Sequence, residues 1–237
     1  MSSISRSFLA IATITCTPVV IHAQSESAVV GWAGLVNTPV GAFAPVITGR
    51  PTSGNRSFGL QVRTSQWQFS EFDDNTRNIG LGAVLNRGRT RTVLELGTIK
   101  KKDCGECDVF MAGLDMQVDL AHSIKGRTTY LVAANPALGY GVPSEGSGNA
   151  FSIGLSVPVS ASINAGSSVR LVPFLSPGYG GARFSGGGES ETGSRAMLAG
   201  GLSLGGQKSA WLVTASARKI FLEEAPTIYG IGFTMTR

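Results

Sequence analysis

The sequence predicts an all-β chain folded as an antiparallel, up-and-down transmembrane β-barrel of about ten strands, within a range of eight to twelve. Three observations carry that expectation. Apolar residues alternate with small or polar ones over long segments, the connections between segments sort by parity into long and short, and the composition suits neither a soluble domain nor a helical membrane protein. Of 237 residues, 32 are Gly and only 15% are charged, against roughly 25% in soluble domains. A helical membrane protein needs runs of about 20 apolar residues, and none follows the N-terminus.

The first element, residues 1–23, reads as a secretory signal peptide. Arg6 supplies the positive charge, Phe8 to Ile21 the apolar stretch and Ala23 the small residue before a cut, so the mature chain is expected to begin near Gln24. Cys16 follows Thr15, where a lipoprotein signal carries Gly or Ala. The whole chain has a formal charge of +5, and losing Arg6 leaves the mature part basic. Residues 24–56 phase with neither the helical nor the strand period, and three readings stay open: a lead-in, a plug, or an extra hairpin.

Residues 57–237 carry the barrel pattern. In Phe151 to Ile163, Phe151, Ile153, Leu155, Val157 and Val159 share one face while Ser152, Gly154, Ser156 and Ser160 share the other. Successive strand side chains point to opposite faces, so this is a strand signal, and thirteen residues rising roughly 3.3 Å each cross a bilayer even when tilted. The same pattern predicts strands near 57–69, 77–86, 90–101, 107–120, 127–135, 149–163, 167–177, 194–206, 209–221 and 227–236. Between them lie S-E-F-D-D-N-T, N-R-G-R, the Cys loop, S-I-K-G, a long stretch after Ala134, N-A-G-S, a Gly-rich stretch from Gly178 to Gly193, a brief turn at Gln207 and Lys208, and E-E-A-P. Long connections alternate with short ones, as expected of a barrel with periplasmic turns and external loops. Pro158 and Pro173 fall inside strands, where bulges are the expected accommodation.

This pattern over residues 57–237 resembles the bacterial outer-membrane β-barrel proteins, and G-W-A-G-L-V-N-T-P at Gly31 to Pro39 resembles a segment near the start of some exopolysaccharide-associated outer-membrane barrels. The resemblance implies an outer-membrane location after signal cleavage, contact with outer-membrane lipid including lipopolysaccharide at the external rim, and delivery by the outer-membrane assembly machinery. The chain departs from the pattern in ending F-T-M-T-R, with Phe233 four residues short of the terminal aromatic such barrels usually carry.

Few residues point to chemistry. Cys104 and Cys107, an even pair in an exported chain, are expected to form a loop-stapling disulfide, because neither a thioredoxin-like setting nor a second ligand pair accompanies them. Lys100, Lys101 and Lys102 stand beside them, either as a solvated face or against lipid phosphates. His22 leaves with the signal and His122 falls at a short turn, so no base is placed to activate a nucleophile and no enzyme is expected. Glu95, Asp115 and Asp119 phase to the inner face, with Arg63 and Arg170 as candidate partners. They form a satisfied polar network or a charged lining that selects solutes. The Gly-rich stretches precede no helix, so no nucleotide loop is present; no cofactor, metal or nucleic acid is expected. Inward faces rich in Gly and Ser place a narrow passive channel for small solutes first, a structural or surface-interaction barrel second, and an outer-membrane enzyme third.

Overall fold

In the computed structural model, residues 35–36, 38–47, 56–68, 76–100, 108–144, 148–166, 168–186, 189–206, 211–221 and 225–237 are described. The expected signal peptide and the Cys104–Cys107 disulfide lie outside them. Eleven antiparallel strand segments follow one another: β1 (Ser57–Gln68), β2 (Arg77–Arg87), β3 (Thr90–Lys100), β4 (Val109–Lys125), β5 (Thr128–Pro143), β6 (Gly148–Ser156), β7 (Val159–Ala165), β8 (Val169–Gly186), β9 (Glu189–Gly206), β10 (Trp211–Ile220) and β11 (Thr227–Thr236). All consecutive strands pair except β6 and β7, and β1 pairs with β11, so the sheet closes on itself. β6 and β7 share the neighbours β5 and β8 and occupy one position in the wall, which leaves ten positions. The all-β barrel of about ten strands is the fold.

Closure follows from the alternation. Along β1 the inward residues Gln61, Arg63 and Ser65 are buried, while Phe58, Leu60 and Val62 are exposed. Short hairpins at one end turn through Gly88, Gly126 and Gly166, each at positive φ, which Gly adopts without steric cost. Ser57 and Arg237 lie at that turn end, where the backbones of Phe58 and Arg237 exchange hydrogen bonds of 3.2 and 2.7 Å.

Several expectations need correction. The stretch after Ala134 is not a loop: β5 continues to Pro143, with Leu138, Tyr140 and Val142 outward and Gly139 and Gly141 buried. Likewise Gly178 to Gly193 is mostly ladder, because β8 and β9 pair in unbroken register from Val169↔Gly206 to Gly186↔Glu189. In both places glycine fills inward strand positions that sequence reading takes for turn chemistry. β4 extends past the expected boundary to Lys125, and Leu120 is the extra residue of a bulge between Asp119 and Ala121.

The prolines are accommodated without bulges. Pro158 separates β6 from β7, yet Asn135↔Ser156 and Val132↔Val159 keep one alignment with β5, so no residue is inserted. Its carbonyl still accepts from Ala133 N at 3.0 Å. Pro173 stays in register opposite Leu202, and the ladder to β7 lapses beside it, between Ser160↔Phe174 and Ile163↔Leu171.

The outer surface is a continuous apolar belt. Leu81 and Leu96, directly opposed on β2 and β3, are 61% and 68% exposed. Exposed aromatics stand near the strand ends: Phe58 and Tyr130 towards the turn end, Phe110, Tyr140, Phe151 and Phe221 towards the other. A soluble protein rarely leaves so much contiguous apolar surface uncovered; an apolar band flanked by aromatic girdles is how a barrel meets a bilayer.

Candidate functional site in the bore

The bore is occupied by the chain's own N-terminal segment. Leu35 and Val36 begin a tight turn, Thr38 precedes a single helical turn α1 (Pro39–Ala42), and residues 43–47 continue extended towards the turn end. Proline at the first helical position suits the start of the turn, since its missing N–H has no partner to lose. Thr38 Oγ1 donates to Leu35 O at 2.8 Å, and Gly41 N and Ala42 N donate to Thr38 O at 3.1 and 2.9 Å. Gly41 lies so close to the Leu35 carbonyl that a Cβ there would collide with it.

Every wall position touches this segment. A Cβ added at the inward glycines would meet it: at Gly113, 2.9 Å from Pro39; at Gly139, 2.8 Å from Thr38; at Gly154, 2.7 Å from Val40; at Gly180, 3.2 Å from Leu35; at Gly230, 3.3 Å from Ala44. Gly80 and Gly97 admit the ring of Phe43, and Gly232 admits Val46. The missing side chains are therefore matched by the enclosed ones.

Polar groups of the wall hold the segment's backbone. Ser65 Oγ and Asn78 Nδ2 donate to Ala42 O at 2.7 and 3.0 Å, Arg91 Nη1 to Val46 O at 3.3 Å, and Ser203 Oγ to Ile47 O at 2.9 Å. Arg218 Nη1 donates to Val40 O, and the hydroxyls of Thr38 and Ser152 lie 2.6 Å apart. These bonds give an irregular backbone the partners that burial would otherwise remove. Leu35, Val36, Val40, Ala42 and Phe43 form an apolar cluster with Trp67, Ile99, Met111 and Met197.

The expected inner-face residues are placed as follows. Arg63 and Glu95 are both buried and form a two-pronged ion pair, Nε to Oε1 at 2.9 Å and Nη2 to Oε2. The same guanidinium lies over Phe43, 4.8 Å from the ring centroid, and reaches Ala44 O at 3.5 Å. Asp115 accepts from Asn135 Nδ2 at 3.2 and 3.3 Å. Asp119 is buried and accepts from Gln117 Nε2 at 2.9 Å. Arg170 is buried near the turn end, opposite Gly205 and Asn164; its Nε and Nη1 have no hydrogen-bond partner among the described residues. Glu95 and Asp115 are diagonal neighbours, opposing Gly113 and Val93 respectively.

Sequence reading missed Phe43, Arg91, Asn78 and Arg218 as holders of the bore. One signal was available. Residues 38–47 are almost wholly apolar without strand alternation, and an apolar segment in an exported chain needs a cover. His122 is exposed near the end of β4. Among the described residues, no three His, Cys, Asp or Glu side chains gather as metal ligands do.

No family model matches the chain, and no curated protein matches it in sequence. Solved structures similar to it include the β domain of the Bordetella autotransporter BrkA, at 14% identity and a TM-score of 0.47, covering 76% of this chain and 99% of that one. The translocator domain of the autotransporter NalP from Neisseria meningitidis is similar at 10% identity and a TM-score of 0.40, covering 77% and 88%. Ail, the attachment invasion locus protein of Yersinia pestis, is similar at 16% identity and a TM-score of 0.35, covering 78% and 99%.

Proposed function

We propose that this chain is an outer-membrane barrel closed by its own N-terminal segment, serving as a structural or surface-interaction barrel and not as an open passive channel. The apolar belt supports the membrane placement, and the longest connections between strands, residues 69–76 and 101–108, lie at the end opposite both barrel termini and support an external face there. The observation that carries the closed reading is that residues 35–36 and 38–47 touch all ten wall positions. The small inward residues that first suggest a solute path instead make room for this segment, and Glu95, the leading candidate for cation preference, has its charge opposed by Arg63. A non-enzymatic role is supported by Ser65, Asn78, Arg91, Ser203 and Arg218, whose side chains are engaged in holding the segment's backbone.

Leu35, Val36, Thr38 and Pro39 belong to the stretch that resembles exopolysaccharide-associated barrels. Their place inside the wall favours a closing role for that stretch over direct contact with a polymer.

The test is conductance. Full-length protein, shown to be folded by heat-modifiable migration, is added to planar bilayers at increasing salt. Silence is expected; steady unitary conductance would restore the passive channel with its Glu95 and Asp115 lining.

A further inference from the structure

We propose that the outer wall carries a binding site for a phosphorylated acyl glycolipid, the chemistry of lipopolysaccharide, along one row of side chains. The proposal rests on the outer-membrane reading above. Strand register draws the row: Gly200 opposes Ala217, Ala217 opposes Tyr229, Tyr229 opposes Gln66, Gln66 opposes Arg77, and Arg77 opposes Lys100. Six positions at the usual strand spacing of about 4.8 Å extend roughly 24 Å across the outside of the barrel.

The row changes character along its length in the order a lipid does. Its first part is a groove of about 780 Å³ in the lipid-facing surface, floored by Gly200, Ala215 and Ala217 and walled by Leu202, Ile231 and Tyr229. Below it the outward residues are bulky again, with Leu204, Val213 and Phe233. Small outward residues leave a trough here that acyl chains fill. Tyr229 and Gln66 then offer polar ends, and Arg77, which also lines the groove, leads to Lys100 at the rim.

The cationic end points to an anion. Arg77 and Lys100 are directly opposed and exposed, and like charges in that position repel. Among the described residues, Lys100 Nζ has one weak counter-charge, Asp108 Oδ2 at 3.9 Å, and both groups are exposed. A phosphate between the two cations turns the repulsion into attraction. Two adjacent cations beside hydrogen-bonding side chains suit a phosphorylated sugar better than a single glycerophosphate.

The experiment uses the full chain refolded in detergent, with heat-modifiable migration checked for every variant. Binding of bisphosphorylated lipid A, the same lipid dephosphorylated, and phosphatidylglycerol is measured by native mass spectrometry. The wild type is expected to prefer bisphosphorylated lipid A over either comparison by about tenfold or more, since each surface cation contributes severalfold to anionic lipid binding. Arg77→Gln with Lys100→Gln should abolish the preference for the phosphorylated form. Ala217→Leu, which fills the trough, should weaken both lipid A forms equally. Unchanged lipid A binding by the folded double variant, or equal wild-type binding of phosphatidylglycerol, overturns the proposal. A soluble protein without heat-modifiable migration sinks the membrane reading and the site with it.

Discussion

Glu95→Gln removes the carboxylate facing Arg63 while keeping the shape of the side chain, and its cost reports how dry the bore is. Arg63 and Glu95 are 5% and 3% exposed. Two charges about 4 Å apart interact by about 1 kcal/mol in water and about 4 kcal/mol at an effective dielectric near 20. An exposed pair contributes about 0–1 kcal/mol, whereas breaking a buried one costs about 3–5 kcal/mol because the remaining charge is stranded. Arg63 retains the face of Phe43 and the Ala44 carbonyl, a cation–π contact being worth roughly 0.5–2 kcal/mol. The expected loss is therefore at the lower end, about 3 kcal/mol. Urea unfolding from lipid vesicles, followed by intrinsic fluorescence, measures it. Arg63→Gln with Glu95→Gln should cost less than the sum of the single changes, by about 2 kcal/mol, as for residues in direct contact. A loss below about 1 kcal/mol for Glu95→Gln, with additive singles, would mean that water reaches the pair and that the segment does not seal the bore.

Other expectations follow from the wall. Gly154→Leu places a side chain where Val40 sits, since even a Cβ would lie 2.7 Å from Val40 Cγ1; overpacking of this kind costs about 1–3 kcal/mol in urea unfolding, and an unchanged midpoint would argue that the segment is not seated there. Leu81→Arg, in the outer belt, should cost about 2–4 kcal/mol in vesicles if the residue lies near the bilayer midplane, and next to nothing if the belt faces water. Unboiled protein should migrate differently from boiled protein on gels, because a closed ladder leaves no free edge and unfolds reluctantly; identical migration would count against the barrel. Cys104 and Cys107 should resist alkylation until reduced, and the double Ser variant should still assemble, because so short a loop removes little chain entropy.

The wall was legible in the sequence wherever its inward residues were polar and its outward residues large. Phe151 to Ile163 and Phe110 to Leu120 show the alternation directly, and both phases are correct in the structure. It failed at Pro136–Pro143 and Tyr179–Gly186, where glycine on the inward face looks the same as glycine in a turn. Period two is still present there, with Tyr140 and Tyr179 outward against buried Gly139 and Gly180. Distinguishing the two meanings requires knowing what fills the space beside the glycine, which is a tertiary fact. For the same reason the inner surface was only half readable. The inward phase of Glu95 and Asp115 is set by local alternation, but the partners Ala42, Phe43 and Val46 come from a segment without periodicity, whose conformation is imposed by the wall.

The topology also makes one order of events easier than the other. Residues 35–47 precede β1, and the cylinder is sealed by β1 meeting β11, which is synthesised after the other ten strands. If the seam closed first, the segment would have to enter lengthwise from the turn end and carry Phe43 past the hydrogen-bonded bridge of Arg91, Gln61 and Thr234 that stands there, with donor–acceptor distances of 2.8 and 3.2 Å. Wrapping the wall around a segment already in place avoids that passage. In that order the segment serves as a mandrel for the wall, whose inward Gly113, Gly139 and Gly154 leave room for Pro39, Thr38 and Val40.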